Sequence, residues 1–169
     1  MDTALASTNT CVIQTQGIAA SLGGNHPGCA QGPITLRDSV ALKDTLEKNG
    51  ISLNWQSMLT PNPQLEMNSA IKNLCGDASK VCQNFLKNNH PFLFFSGEHA
   101  YAMGIWKGAI KALAKRDKTL ALIWIDAHMD AHTFLTSPSG NVHGMPVAAL
   151  LGAGDEKLNG IYNSDTTIQ

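Results

Sequence analysis

Charge is the first thing this sequence has little of. Charged residues make up 15% of the chain, against roughly 25% in an ordinary soluble domain. Twelve Lys and Arg stand against 13 Asp and Glu, a formal net charge of −1. With no long basic block and a pI near 6.6, the electrostatic footprint of a dedicated nucleic-acid binder is absent. Long hydrophobic runs are lacking too. The two strongest, Phe92 to Phe95 and Leu120 to Ile125, are far shorter than the ~20 residues that cross a bilayer, which predicts no membrane association. Cysteine is sparse: Cys11, Cys29, Cys75 and Cys82 lie 18, 46 and 7 residues apart. No C-x-x-C pair and no disulfide framework fits that spacing, so all four are expected to be buried or half-buried thiols. The N-terminus has neither a basic segment nor an apolar one, which makes the cytoplasm the expected location. Internal repeats and low-complexity stretches are also absent.

What is present is alternation. A length of 169 residues suits one domain, at a prior of about 150 residues each, and residues 1–169 are expected to form a single α/β domain. Thr10 to Ala19 leans to strand and runs into a loop rich in Gly and Pro, Leu22 to Pro33. Leu36, Val40, Leu42 and Leu46 approximate helical spacing, with Pro33 suited to the first turn and Asn49-Gly50 to the stop, so Ile34 to Asn49 reads as one helix. Ile51 to Met58 alternates apolar with polar, as a strand does. Leu65 to Asn88 recurs at three- and four-residue steps and is the longest predicted helix. Pro91 to Phe95 and Leu120 to Ile125 are continuous apolar runs, expected to be buried parallel strands, with a helix over Tyr101 to Lys115 between them. This order predicts a three-layer α-β-α fold with a mainly parallel sheet.

The chemistry concentrates in Asp126-Ala127-His128-Met129-Asp130, directly after the second apolar run. Open α/β sheets place ligands outside the carboxyl ends of their strands. Two carboxylates and an imidazole at i, i+2 and i+4 of a turn converge on a divalent cation that takes mixed oxygen and nitrogen ligands, such as Mn²⁺. Gly97-Glu98-His99, at the end of the other apolar run, supplies a second imidazole from the same sheet edge. A polar loop follows, from Thr136 to Gly144. Its Ser137, Ser139 and Asn141 offer neutral hydrogen-bonding groups, and its His143 an imidazole suited to proton transfer near neutral pH.

D126-A-H-M-D130 followed closely by S139-G-N-V-H-G-M-P146 resembles the arginase branch of the ureohydrolases. G97-E-H99 stands in the place of the family's G-G-D-H, and Gly24 to Pro33 is similar to the family's glycine-rich loop after the first strand. The strongest likeness spans about Ser96 to Val147. It implies that His99, Asp126, His128 and Asp130 ligate Mn²⁺, two ions per complete site, with Asp126 bridging them. It also implies that metal-activated water attacks the guanidinium carbon of L-arginine to give ornithine and urea. His143 would then shuttle the proton, and Ser137, Ser139, Asn141 and His132 would meet a small guanidino substrate. Family members often form homo-oligomers.

The departures are specific. Glu98 replaces the family's Asp, Ser96 stands where Gly is usual, and His132 occupies the position of a substrate-binding Asn. The family's second carboxylate pair, a D-x-D after a later strand, has no counterpart before Gln169. Asp155, Glu156 and Asp165 sit among Gly, Asn and Thr and read as loop residues. The chain is therefore expected to hold the N-terminal half of the fold and to have little or no hydrolase activity alone. A catalytically inactive metal- or partner-binding module, a formiminoglutamase or agmatinase-like hydrolase, and complementation by another chain are the alternatives.

Overall fold

The computed structural model describes residues 10–153 together with Leu158 and Ile161. Asp155, Glu156 and Asp165 lie outside the described residues. Three parallel strands form the sheet: β1 (Cys11–Ile18), β2 (Ile51–Trp55) and β3 (Phe92–Ser96), in the order β2-β1-β3. Cys11 pairs with Ile51, and Gln14 pairs with Phe92. Between them run α1 (Gly32–Asp38), α2 (Val40–Lys48) and α3 (Met67–Lys87), and after β3 come α4 (Ala102–Ala114) and α5 (Pro146–Leu150).

Side chains alternate across a strand, and this sorts the helices onto two faces. Ile51, Leu53 and Trp55 face the same hollow as Leu42 and Leu46 of α2. Pro33 of α1 lies over Gly17 on that side. The other face carries Phe92 and Phe94, whose rings lie 5.7 and 6.0 Å from Phe85 of α3. The outcome is the predicted parallel sheet with flanking helices. β1 is central, and its two neighbours are reached over opposite faces. That reversal opens a crevice at the carboxyl ends of β1 and β3.

α3 buries Ala70, Ile71, Leu74, Cys75, Ala78, Ser79, Cys82 and Phe85 on one stripe. Ile71 and Leu74 are 0% and 1% exposed, each contributing about 1.5–3 kcal/mol of apolar burial. α4 packs on α3 at very short range. A Cβ on Gly104 would lie 2.5 Å from the Cys75 Cα, and one on Gly108 would lie 2.5 Å from the Ser79 carbonyl oxygen. Glycine is required at both positions because backbone meets backbone there.

Four expectations are corrected. The helix over Ile34 to Asn49 is two helices, because Ser39 takes an extended conformation (φ −74°, ψ 107°) and caps α2, its Oγ accepting from the Leu42 N–H at 3.2 Å. The strand begun at Ile51 ends at Trp55, and the chain rejoins β1 only as a single bridge between Ile18 and Leu59. Cys11 and Cys29 are exposed, while Cys75 and Cys82 are buried as expected. The largest correction is Leu120 to Ile125, which forms no strand. Leu122 and Trp124 are half-buried, but Ile123 and Ile125 are 81% and 91% exposed. A strand buried on both faces needs a ladder partner and cover on each side. Among the described residues, β3 pairs with β1 alone and nothing lies over Ile123 and Ile125. No helix of the described residues is long and apolar enough to cross a membrane.

Candidate metal centre and substrate cleft

The site is assembled from the end of β3 upward. Gly97 follows the strand where a Cβ would lie 2.7 Å from the Cys29 carbonyl oxygen and 2.9 Å from the Ala30 Cα, so the chain passes close under the glycine-rich loop. Glu98 is extended (φ −155°, ψ 166°), and His99 opens a short 3₁₀ turn, His99–Tyr101, that leads into α4. This turn sends the His99 ring into the crevice and Glu98 back toward Gly23, whose N–H donates to its Oε1 at 2.7 Å.

Asp130 meets His99 there. It is 5% exposed and adopts φ +49°, a left-handed conformation that Asp tolerates better than most residues. Three groups hold it in place. Its Oδ2 accepts from the Trp124 indole N–H at 3.0 Å, and its backbone carbonyl accepts from the N–H groups of Val147 and Ala148 at the start of α5. Its Oδ1 lies 3.4 Å from His99 Nε2. That separation lacks hydrogen-bond geometry, and the buried Nε2 has no hydrogen-bond partner among the described residues. Trp124 completes the setting, its ring meeting His99 edge-on at 6.1 Å.

Asp126 closes the cluster: one ligand atom each from His99, Asp126 and Asp130 falls within 4.8 Å of the others. Its carboxyl is held below the ordinary range, chiefly by the backbone N–H of His128, with desolvation opposing and the nearby His99 and His128 rings adding to the lowering. Asp126 therefore stays ionised, as a cation ligand must. An orphaned buried imidazole nitrogen facing two carboxylates is the donor set for a divalent cation of the Mn²⁺ type, so these residues fit such an ion. The structure does not bring His128 into the cluster; its ring is 82% exposed, with Nδ1 3.4 Å from Asp126 Oδ1.

A cleft of about 1020 Å³ opens over these groups, and every site residue named from the sequence lines it: His99, Asp126, His128, Asp130, His132, Ser137, Ser139, Asn141 and His143. His143 stacks on His99 with centroids 5.7 Å apart and planes 9° from parallel. Ser137 Oγ accepts from the Gly140 N–H at 3.0 Å, and Ser139 Oγ from the Asn141 N–H at 3.3 Å. Each hydroxyl keeps its own proton to donate. His132 is exposed and pairs through Nδ1 with Thr136 Oγ1 at 3.2 Å.

Trp124, Tyr101 and the Gly23-Gly24 turn also shape the site, and sequence reading did not select them. The available signal was chemical: a partly buried indole N–H needs an acceptor, and Asp126 and Asp130 both lie within six residues of Trp124. Burial pushes the Glu98 carboxyl up, opposed by the Gly23 N–H, the His99 ring and the Tyr101 hydroxyl.

Fold and site together define an α/β protein with a carboxylate-imidazole cluster, of a kind that suits a divalent cation, at a sheet crevice. Residues 13–163 match the model of the arginase family, and the chain belongs to that family. It is 33% identical to the arginase of Agrobacterium fabrum over 152 residues, covering 85% of this chain and 46% of that one. It is 33% identical to the arginase of Bacillus subtilis over 153 residues, covering 86% of this chain and 50% of the relative. The crystal structure of arginase from Bacillus cereus superposes with a TM-score of 0.78 at 28% identity, covering 94% of this chain and 53% of that one. The chain spans about half the length of the curated relatives it matches.

Proposed function

We propose that this chain carries the first half of an arginase-type ureohydrolase site, one that takes Mn²⁺ and a small guanidino substrate, with L-arginine hydrolysed to ornithine and urea in the complete site. The observation that supports this reading is the convergence of His99, Asp126 and Asp130 within 4.8 Å at the floor of a cleft whose walls hold His143 and the serine loop. His99, Asp126 and Asp130 would hold the cation, with His128 reaching it by a rotation of its exposed side chain. When bound, the ion supplies Lewis-acid polarisation and a nucleophile at neutral pH.

The chain's own residues do the rest. Ser137 and Ser139, whose oxygens already accept backbone N–H groups, donate their hydroxyl protons to the substrate's α-carboxylate. Asn141 offers both a donor and an acceptor to the α-amino end. His143, stacked on a ligand imidazole, moves the proton between the reacting centre and solvent, a task suited to imidazole near neutral pH. Trp124 excludes water from one side of His99 and fixes Asp130.

The described donors number three as placed, four with His128 turned inward, whereas two Mn²⁺-type ions of octahedral preference call for about a dozen ligand positions. One weakly held ion and urea release near background are therefore the expected behaviour of this polypeptide by itself; likeness to the arginases supports a cytoplasmic homo-oligomer as its setting. Metal analysis and Mn²⁺-dependent thermal shift test the reading, with urea release from L-arginine assayed alongside. Absence of any Mn²⁺-dependent stabilisation would overturn it.

A further inference from the structure

Glu98 is a half-buried acid that the chemistry above does not use. Its Oε1 accepts from the Gly23 N–H at 2.7 Å, and the nearby Tyr101 hydroxyl, which accepts from the Leu22 N–H at 3.2 Å, favours its charged form. The turn it grips is gripped again from the other side, because the Gly23 carbonyl accepts the His143 backbone N–H at 3.0 Å. A continuous chain of hydrogen bonds thus runs from the residue beside His99, through Gly23, to the backbone of His143. Gly24 is part of the same arrangement: a Cβ there would lie 3.0 Å from His143 Nδ1 and 3.6 Å from Glu98 Oε2. The Glu98 Oε2 atom is buried with no hydrogen-bond partner among the described residues, so the carboxyl is not there to satisfy a polar core.

We propose that Glu98 is a positioning residue of the cleft, setting the height of the His143 ring over His99 by holding the Gly23-Gly24 turn against the end of β3. The inference rests on the reading of His99 and His143 as parts of one site. It assigns Glu98 a length and an acceptor oxygen rather than a charge. The carboxyl must reach the Gly23 N–H from a backbone already pinned, since Ser96 Oγ donates to the Glu98 carbonyl. An aspartate, one methylene shorter, leaves that N–H without its acceptor. Glutamine keeps both the reach and an acceptor oxygen.

The test uses the full, metal-free chain and follows backbone amide exchange and histidine ring resonances by NMR. In Glu98→Ala and Glu98→Asp, exchange at the Gly23 and His143 amides is expected to accelerate at least about tenfold, the loss of one protecting hydrogen bond of ~1.4 kcal/mol or more, and the His143 ring signals to shift. In Glu98→Gln both are expected to stay near wild type. Amides of Leu74 and Ala78 in α3 report whether a variant has folded; if Glu98→Ala has not, the Gln and Asp pair decides. Unchanged His143 exchange and ring signals in Glu98→Asp would overturn the proposal, as would a Gln variant that behaves like the Asp one. A separate arm adds Mn²⁺ to the wild-type chain and looks for broadening of the His99 ring signals. Its absence counts against the cation reading and leaves the exchange result standing.

Discussion

Replacing glycine with alanine should stabilise this protein at one helical position and destabilise it at another. Gly76 sits on the exposed side of α3 with nothing within 4 Å of where its Cβ would be. Alanine there restricts the unfolded chain and favours helix, a gain of about 0.8–1 kcal/mol. Gly104 receives the same propensity gain, but its new Cβ would sit 2.5 Å from the Cys75 Cα and 2.6 Å from the Cys75 carbonyl carbon, where ordinary contact begins at 3.4 Å. The obstacle is helix backbone, the Cys75 carbonyl oxygen nearest of all, and cannot rotate away, so α4 must withdraw from α3 by roughly 1 Å or more, losing dispersion contacts along the crossing. Overpacking of this kind costs about 1–3 kcal/mol, and more when backbone is displaced. The net expectation for Gly104→Ala is a loss of about 1–2 kcal/mol or more, against a gain of about 1 kcal/mol for Gly76→Ala. At this chain length, each kcal/mol is worth about 2–4 °C of melting temperature. Urea unfolding followed by circular dichroism, with thermal melts in parallel, measures both variants against wild type. If Gly104→Ala were as stable as wild type or moved in the same direction as Gly76→Ala, the close crossing of α3 and α4 would be wrong.

Further outcomes follow from the same structure. Cys11 and Cys29 are exposed, whereas burial pushes the Cys75 and Cys82 thiols up to about 12; in native protein at about pH 8 a thiol-specific reagent should modify two cysteines quickly, and the other pair only on unfolding. Ile125 is 91% exposed, so Ile125→Lys should change stability by no more than about 0.5 kcal/mol; a loss of several kcal/mol would mean that this run is a buried strand after all. Asp130→Asn keeps an acceptor for the Trp124 indole but removes a charge from the ligand cluster, and should weaken Mn²⁺ binding at least about tenfold; an unchanged Mn²⁺ titration would remove Asp130 from the ligand set.

Much of the fold was legible because period alone carries it. The stripe Ala70, Ile71, Leu74, Ala78, Cys82 and Phe85 requires a helix of about the length of α3, and the strand expected over Pro91 to Phe95 lies one residue from β3 at each end. Ser39 shows where local signals compete. A serine in mid-helix spacing can cap as well as continue, and the extended conformation won because its Oγ satisfies the Leu42 N–H. Leu120 to Ile125 shows the opposite limit, since apolar content says that a segment wants cover but not whether a neighbour supplies it. Of the site, all nine selected residues line one cleft. His128 was selected as a ligand by its spacing, yet its ring points to solvent while its backbone N–H serves Asp126.

The amino-acid sequence by itself determined the alternation of strand and helix, and it placed the carboxylates and imidazoles at segment ends, because periodicity and residue chemistry are local properties. Its charge poverty was local information of the same kind. Only the tertiary structure decided that His99 and Asp130, 31 positions apart, meet at 3.4 Å, that Trp124 is the donor holding Asp130, and that Glu98 reaches back across the sheet crevice to a turn 75 residues earlier. Those pairings depend on the strand order β2-β1-β3 and on glycines that let backbones touch. No single segment encodes such contacts, because each exists only when two distant segments are packed against the same sheet.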